Sequence, residues 1–179
     1  MSKKPTLTEL KKQLRKKTQN ELVEEIAHLY KKFANVKEFY QASFFNDDSA
    51  VLDKYKKIVR DEYIPSGRKQ FPSMRASVAR KAISDYKKIS CSNTGLADIM
   101  LTFVESGVWC TREYGDIDEP FYCSMESMYE STIKFIVKED LFHEFDDRLR
   151  KILRDTHDMG WGFHDTLSET YDSYAIRAD

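Results

Sequence analysis

Three carboxylates lie within four positions of a stretch that also contains a glycine and a proline, 114-YGDIDEPFYCSM-125. Asp116, Asp118 and Glu119 could together bind a hard divalent cation, because such ions prefer carboxylate and carbonyl oxygens. The spacing is not that of an EF-hand, since Pro120 falls where that calcium loop needs an oxygen ligand. The residue types therefore allow an ion site, but no known metal-binding motif supports it.

A structural interpretation of the same stretch competes with the ion site. Gly115 can end one helix in the left-handed conformation, and Asp118 can cap the next helix by accepting a hydrogen bond from a first-turn amide. Glu119 and Pro120 then occupy the first turn, where negative charge and a missing amide hydrogen are both tolerated. We predict a helix-to-helix connection here and keep the ion site as the alternative.

A second unusual stretch is 159-MGWGFHDTL-167, in which Trp161 lies between two glycines and His164 precedes Asp165. A histidine beside a carboxylate can act as a general base, and these residues could join the first stretch in a metal or hydrolytic site. Otherwise Trp161 closes the end of a helical bundle, and a capping box begins at Thr166. The candidate functional pocket therefore consists of Asp116, Asp118, Glu119, Trp161, His164 and Asp165.

Common catalytic signatures are missing from the sequence. It contains no P-loop, G-x-G-x-x-G, G-x-S-x-G or H-E-x-x-H pattern, so no cofactor and no metal are predicted. Cys91, Cys110 and Cys123 are odd in number and lack C-x-x-C spacing, which predicts free thiols in a reducing cytoplasm. The N-terminal stretch lacks the apolar core of a signal peptide, and no window is apolar enough for a membrane span.

Charge is distributed unevenly along the chain. Residues 1–90 contain 21 Lys and Arg against 11 Asp and Glu, whereas residues 91–179 contain 8 against 19. The basic half could bind nucleic acid, or it could neutralise the acidic half within one fold or between two copies. In the nucleic-acid alternative the predicted phosphate contacts are Lys11, Lys12, Arg15, Lys16, Arg80, Lys81, Lys87 and Lys88.

Amphipathic helices must position all of these residues. Apolar side chains recur at spacings of three and four, and only six Gly and four Pro are present. Capping boxes at 6-TLTE-9 and 18-TQNE-21 begin two helices, 47-DD-48 caps a later one, and 65–73 is a predicted mobile loop. The sequence predicts an all-α bundle of about eight helices, packed as antiparallel hairpins in one domain over residues 1–179.

Two of these stretches also carry a resemblance. The combination of 115-GDIDEPFYCSMESMYE-130 with 160-GWGFHDTLSETY-171, after a helix starting 8-TELKKQL-14, resembles a family of small bacterial proteins classified only as a domain of unknown function. The resemblance covers nearly the whole chain. It implies a cytoplasmic, single-domain, helical protein and brings no activity, cofactor or partner.

Three functions from different classes follow from the sequence. The leading hypothesis is a non-enzymatic helical interaction module that acts through a protein partner, with a homo-oligomer also compatible. The second is a nucleic-acid-binding accessory protein that uses the basic N-terminal half. The third is a metal-assisted hydrolase centred on the loops at 115–120 and 159–167.

Overall fold

A computed structural model describes residues 4–45, 48–67 and 70–176. Within these ranges the chain forms nine α-helices and no strand, which confirms the all-α prediction. The helices are α1 (Leu7–Leu14), α2 (Gln19–Lys32), α3 (Ala34–Phe44), α4 (Asp48–Tyr63), α5 (Ala76–Ile89), α6 (Asn93–Tyr114), α7 (Glu119–Lys138), α8 (Phe142–Thr156) and α9 (Phe163–Ala175). The described ranges contain one helix more than the eight or so that we predicted, because extended backbone at Phe33 separates α2 from α3.

Local side-chain hydrogen bonds explain where the first two helices begin. Thr6 Oγ1 accepts from the Glu9 amide at 3.3 Å, and the Glu9 carboxylate accepts from the Thr6 amide at 2.6 Å. Thr18 and Glu21 repeat this reciprocal arrangement at the start of α2. Both predicted capping boxes are confirmed. The prediction at 47–48 lies partly outside the described residues, within which Asp48 is the first residue of α4.

The core lies among α4 to α9, with α6 at its centre. This helix packs against α4, α5, α7 and α8, and Ile99, Leu101 and Phe103 on it are fully buried. Gly107 allows the close approach of α7, because a methyl group there would lie 2.7 Å from Met125 Cε and closer still to Sδ. The close helix crossing at this glycine follows from its missing side chain.

The first three helices differ from the rest, since none of their residues is buried. Helices α2 and α3 pack on each other as a hairpin, with the Tyr30 and Tyr40 rings 6.3 Å apart. We call these two helices, residues 19–44, the arm. Helix α3 attaches the arm to α4 and α5, and Glu38 accepts a 2.8 Å hydrogen bond from the Tyr55 hydroxyl.

The segment that follows α4 is held at its C-terminal end. The Met74 amide donates to the Glu62 carbonyl at 2.7 Å, and the Arg75 guanidinium binds the buried Glu62 carboxylate through two hydrogen bonds. Phe71 packs against Tyr114 with the ring centroids 5.9 Å apart. Residues 68 and 69 lie outside the described ranges, so the mobility of 65–73 stays a prediction.

Candidate functional site

The acidic stretch at 115–120 is the connection between α6 and α7. Asp118 Oδ1 accepts from the Phe121 amide at 3.0 Å, and Glu119 and Pro120 occupy the first turn, as the capping interpretation predicts. Gly115 has φ 84 and ψ −167, so it is not in the left-handed helical conformation that we predicted. This positive-φ, extended conformation is almost restricted to glycine, and it turns the chain from α6 toward α7.

The two unusual loops meet at Asp116. Its Oδ1 accepts a 3.0 Å hydrogen bond from the Tyr122 hydroxyl, while Oδ2 lies 3.6 Å from where a Cβ on Gly160 would stand. Burial and this hydrogen bond both raise the pKa of Tyr122. The loops enclose an open cleft of about 410 Å³, lined by Thr111, Arg112, Gly115, Asp116, Asp158 and Met159.

The other predicted pocket residues do not line this cleft. Asp118 and Glu119 stay at the start of α7, Asp165 is exposed, and His164 Nδ1 lies 3.2 Å from Thr156 Oγ1. In the described part of the chain, no three His, Cys, Asp or Glu side chains are grouped to hold a metal ion. This arrangement gives the metal-assisted hydrolase no support.

Two local predictions for the second loop are wrong. Trp161 does not close the bundle, because 65% of its surface is exposed and its backbone has φ 61. Thr166 does not start a helix, since α9 already begins at Phe163 with Gly162 as its N-cap. The glycines and the buried Phe163 set the start of α9, and the capping-box pattern at Thr166 falls inside the helix.

The eight predicted phosphate-binding cations fall into two groups. Lys11, Lys12, Arg15 and Lys16 are all exposed on or just after α1, and no ion pair involves them within the described residues. On α5, Lys81 and Lys88 both pair with Asp85, whereas Lys87 is exposed and forms no ion pair within the described residues. Arg80 donates to the Ser124 carbonyl at 2.8 Å and lies 5.2 Å from the Phe103 ring centroid, so it joins α5 to α7 and α6.

A partly buried charged network joins α4, α6 and α8. Asp98 accepts from Lys56 at 2.7 Å and from Arg148 at 2.6 Å, and Arg148 also binds Glu105 through two hydrogen bonds. Burial alone would raise the pKa of Asp98, but hydrogen bonds and charge from Lys56 and Arg148 hold that pKa below the usual value of an aspartate. Of the ion pairs in the described ranges, only Lys56–Asp98 joins the basic and acidic halves. Direct ion pairing between the two halves is therefore limited to this one contact in the described part of the chain.

A cleft of about 690 Å³ lies beside this network. It contains the partly exposed Trp109 and both acidic and basic side chains. Arg112 and Lys151 in it are bound to Asp155, and Glu105 is bound to Arg148. Because most of its charged side chains are already paired, the cleft favours neither an anionic nor a cationic ligand.

The arm carries an apolar cleft that sequence reasoning did not identify. Val23, Phe44 and Phe45 are 56%, 70% and 70% exposed, although all three are large apolar side chains. We name the cleft the arm groove; its volume is about 510 Å³ and it is lined by Val23, Ile26, Ala27, Tyr30, Lys31, Tyr40, Phe44 and Phe45. Periodicity located the apolar face of α2 but could not show that it stays uncovered. The adjacent Phe44 and Phe45 give no such signal, because the equally adjacent Phe121 and Tyr122 on α7 are both buried.

Comparisons with known proteins place the chain in a family. It belongs to DUF6155, a family of unknown function whose model matches residues 1–175. This agrees with the resemblance found in the sequence. No curated protein and no solved structure matches the chain.

Proposed function

We propose that this member of the DUF6155 family is a non-enzymatic interaction protein, and that the arm groove is its docking surface for another protein chain. The observation that carries the proposal is a row of exposed aromatic and aliphatic side chains on a hairpin with no buried residue. Contiguous apolar surface of this kind marks interaction sites, since exposing it to water is unfavourable.

The composition of the groove also suits protein binding. Tyr30, Tyr40 and Phe44 supply large, rigid contact areas, and Lys31 stands at the edge. Aromatic side chains are enriched at the centres of protein interfaces and carry much of the binding energy there. The groove has few polar groups to orient a small polar substrate, which favours an apolar surface of a protein as the occupant.

The marginal stability of a short hairpin gives a second reason. Helices of 14 and 11 residues are weakly stable alone, and most helix stability in proteins comes from burying an apolar face. The arm rests on α4 and α5 through α3, while α2 packs mainly on α3. A partner seated in the groove would bury the apolar face that α2 leaves in water.

A photo-crosslinking experiment tests the docking surface. Phe44→p-benzoylphenylalanine should give a discrete protein adduct on irradiation in cells that produce the protein. The matched control is Phe71→p-benzoylphenylalanine, because Phe71 is 69% exposed, nearly the same as Phe44, but packs near Tyr114. Phe44→Ser should then weaken binding of the purified partner about tenfold or more. Identical adducts at both positions, or none at Phe44, would overturn the proposal.

A second candidate function is nucleic-acid binding through the exposed cations of α1, Lys11, Lys12, Arg15 and Lys16. Their lack of ion-pair partners within the described residues favours it. Such binding must weaken steeply with salt, because each neutralised phosphate releases counterions. Charge reversal of these four residues should abolish retention of single- or double-stranded oligonucleotides at low salt. Retention that survives the reversal would exclude α1 as the contact.

The cellular location belongs to the same proposal. All three cysteines are free, and Cys91 and Cys123 are exposed, which supports a reducing compartment such as the cytoplasm. Across the described part of the chain, no helix has both the length and the apolar character needed to cross a membrane.

A further inference from the structure

We infer that the occupant of the arm groove is the arm of a second copy, with the two α2 helices antiparallel across a two-fold axis. This inference rests on the proposed function, since it names the partner of the same surface. Three features of α2 support it: a self-complementary apolar face, a small residue at its centre, and an edge with matched opposite charges.

The apolar face of α2 is suited to packing on itself. Val23, Ile26, Ala27 and Tyr30 follow the spacing of one helix face, and all four line the groove. Ala27 is the smallest of them and lies near the middle of the face. In an antiparallel pair centred near Ala27, the helix axes can approach closely there, while Val23 and Tyr30 pack on either side. Such an interface is isologous, the usual arrangement in symmetric dimers.

One edge of this face carries an acid and a base in register. Glu24 and Lys31 are seven residues apart, which places them two turns apart on the same edge of α2. Both are exposed, and within the described ranges neither has an ion-pair partner in its own chain. The two neighbouring charges are already engaged, since Glu25 pairs with Lys17 and Lys32 lies over the Phe33 ring. Glu24 and Lys31 are thus the charges left available for another chain.

Antiparallel pairing uses both of these charges. Reversing one helix about a centre between positions 27 and 28 brings Glu24 of each copy beside Lys31 of the other, so one symmetric contact forms twice. A parallel pair would set this edge against the opposite edge, which carries Leu22 and Leu29. Charged residues that flank a helical seam commonly fix the orientation of the partners. The charge pattern therefore selects the antiparallel arrangement.

Sedimentation equilibrium of the full chain with charge-reversal variants tests the inference. Glu24→Lys alone, or Lys31→Glu alone, should raise the dimer dissociation constant about 3- to 10-fold, because each variant places like charges together twice. The double variant Glu24→Lys/Lys31→Glu should restore dimerisation, and an equal mixture of the two single variants should form a heterodimer. Lys32→Glu is the matched control, since it changes the same charge one residue away on a different face and should have little effect.

The outcomes separate this inference from the proposed function. A wild-type chain that stays monomeric, or a dimer that the double variant fails to restore, overturns the second-copy arrangement. If Phe44 then crosslinks to a different protein, the docking surface stands and only its occupant changes. A monomeric chain without any adduct at Phe44 removes both. Circular dichroism of every variant confirms that the exposed substitutions leave the fold intact.

Discussion

A single hydrogen bond, from the Phe121 amide to Asp118, separates the competing interpretations of the acidic stretch. It could be predicted because N-caps depend on residue type and position along the chain alone. The conformation of Gly115 could not, since a glycine at a helix end has several positive-φ conformations available. Nor could the exposure of Trp161, because the packing of the whole bundle end decides it.

The cap at Asp118 gives the first prediction. Asp118→Ala should lower the free energy of unfolding by about 0.5–2 kcal/mol, whereas Asp118→Asn keeps an accepting oxygen and should be nearly neutral. Asp165→Ala is the control, because Asp165 lies in the first turn of α9 without acting as its N-cap. Urea denaturation measures all three. The ion-site interpretation would be restored if Asp118→Asn were much less stable than the wild type, and if added magnesium or calcium stabilised the wild type but not this variant.

The cysteines give a second prediction at the residue scale. Burial raises the pKa of Cys110 to about 11, whereas Cys91 and Cys123 are exposed. Because the thiolate is the reactive form, Cys110 should be almost inert near pH 8 in the folded protein. A thiol reagent should therefore label two cysteines quickly and the third only after unfolding. Equal labelling rates for all three would contradict the buried position of Cys110.

At the scale of helices, sequence patterns located most elements but not the bonds between them. Capping boxes and 3.6-residue periodicity use information within one helix, and they placed α1, α2 and α7 well. The network of Lys56, Asp98 and Arg148 joins residues 42 and 50 positions apart, and no local pattern encodes such contacts.

That network predicts a dependence of stability on pH. The folded-state pKa of Asp98 is lowered by its donors, so its contribution to stability is complete above the unfolded-state pKa and is lost as the pH falls through the folded-state pKa. Arg148→Met should cost about 1.5–3 kcal/mol at neutral pH and reduce the loss of stability below pH of about 4. Lys151→Met on the same helix, with a 63% exposed side chain, should have little effect. Parallel pH slopes for wild type and Arg148→Met would contradict this account.

The crossing of α6 and α7 gives a prediction about packing. Gly107→Ala should destabilise the fold by about 1–2 kcal/mol, because overlap with Met125 outweighs the gain in helix propensity. In Gly107→Ala/Met125→Ala the new methyl group occupies part of the vacated space. The double variant should therefore be more stable than the sum of the single effects predicts. Additive losses in a chemical denaturation cycle would show that the two residues are not in contact.

At the scale of the molecule, the basic first half and the acidic second half share one ion pair in the described ranges. The sequence revealed this imbalance but could not show whether the fold or a partner neutralises it. The same limit applies to the apolar residues of the arm. Amphipathic spacing shows which side of α2 prefers burial, but only the assembled fold shows that, among the described residues, this side lines an open groove.

Hydrogen–deuterium exchange measures most directly whether the arm groove is a docking surface. The full chain is compared in dilute solution, in concentrated solution, and with any partner crosslinked at Phe44. The account predicts slower exchange within residues 19–44 when the groove is filled, with little change in α6 to α8, whose amides the core already protects. Slower exchange confined to α1, or to the segments that line the 690 Å³ cleft containing Trp109, would contradict the account.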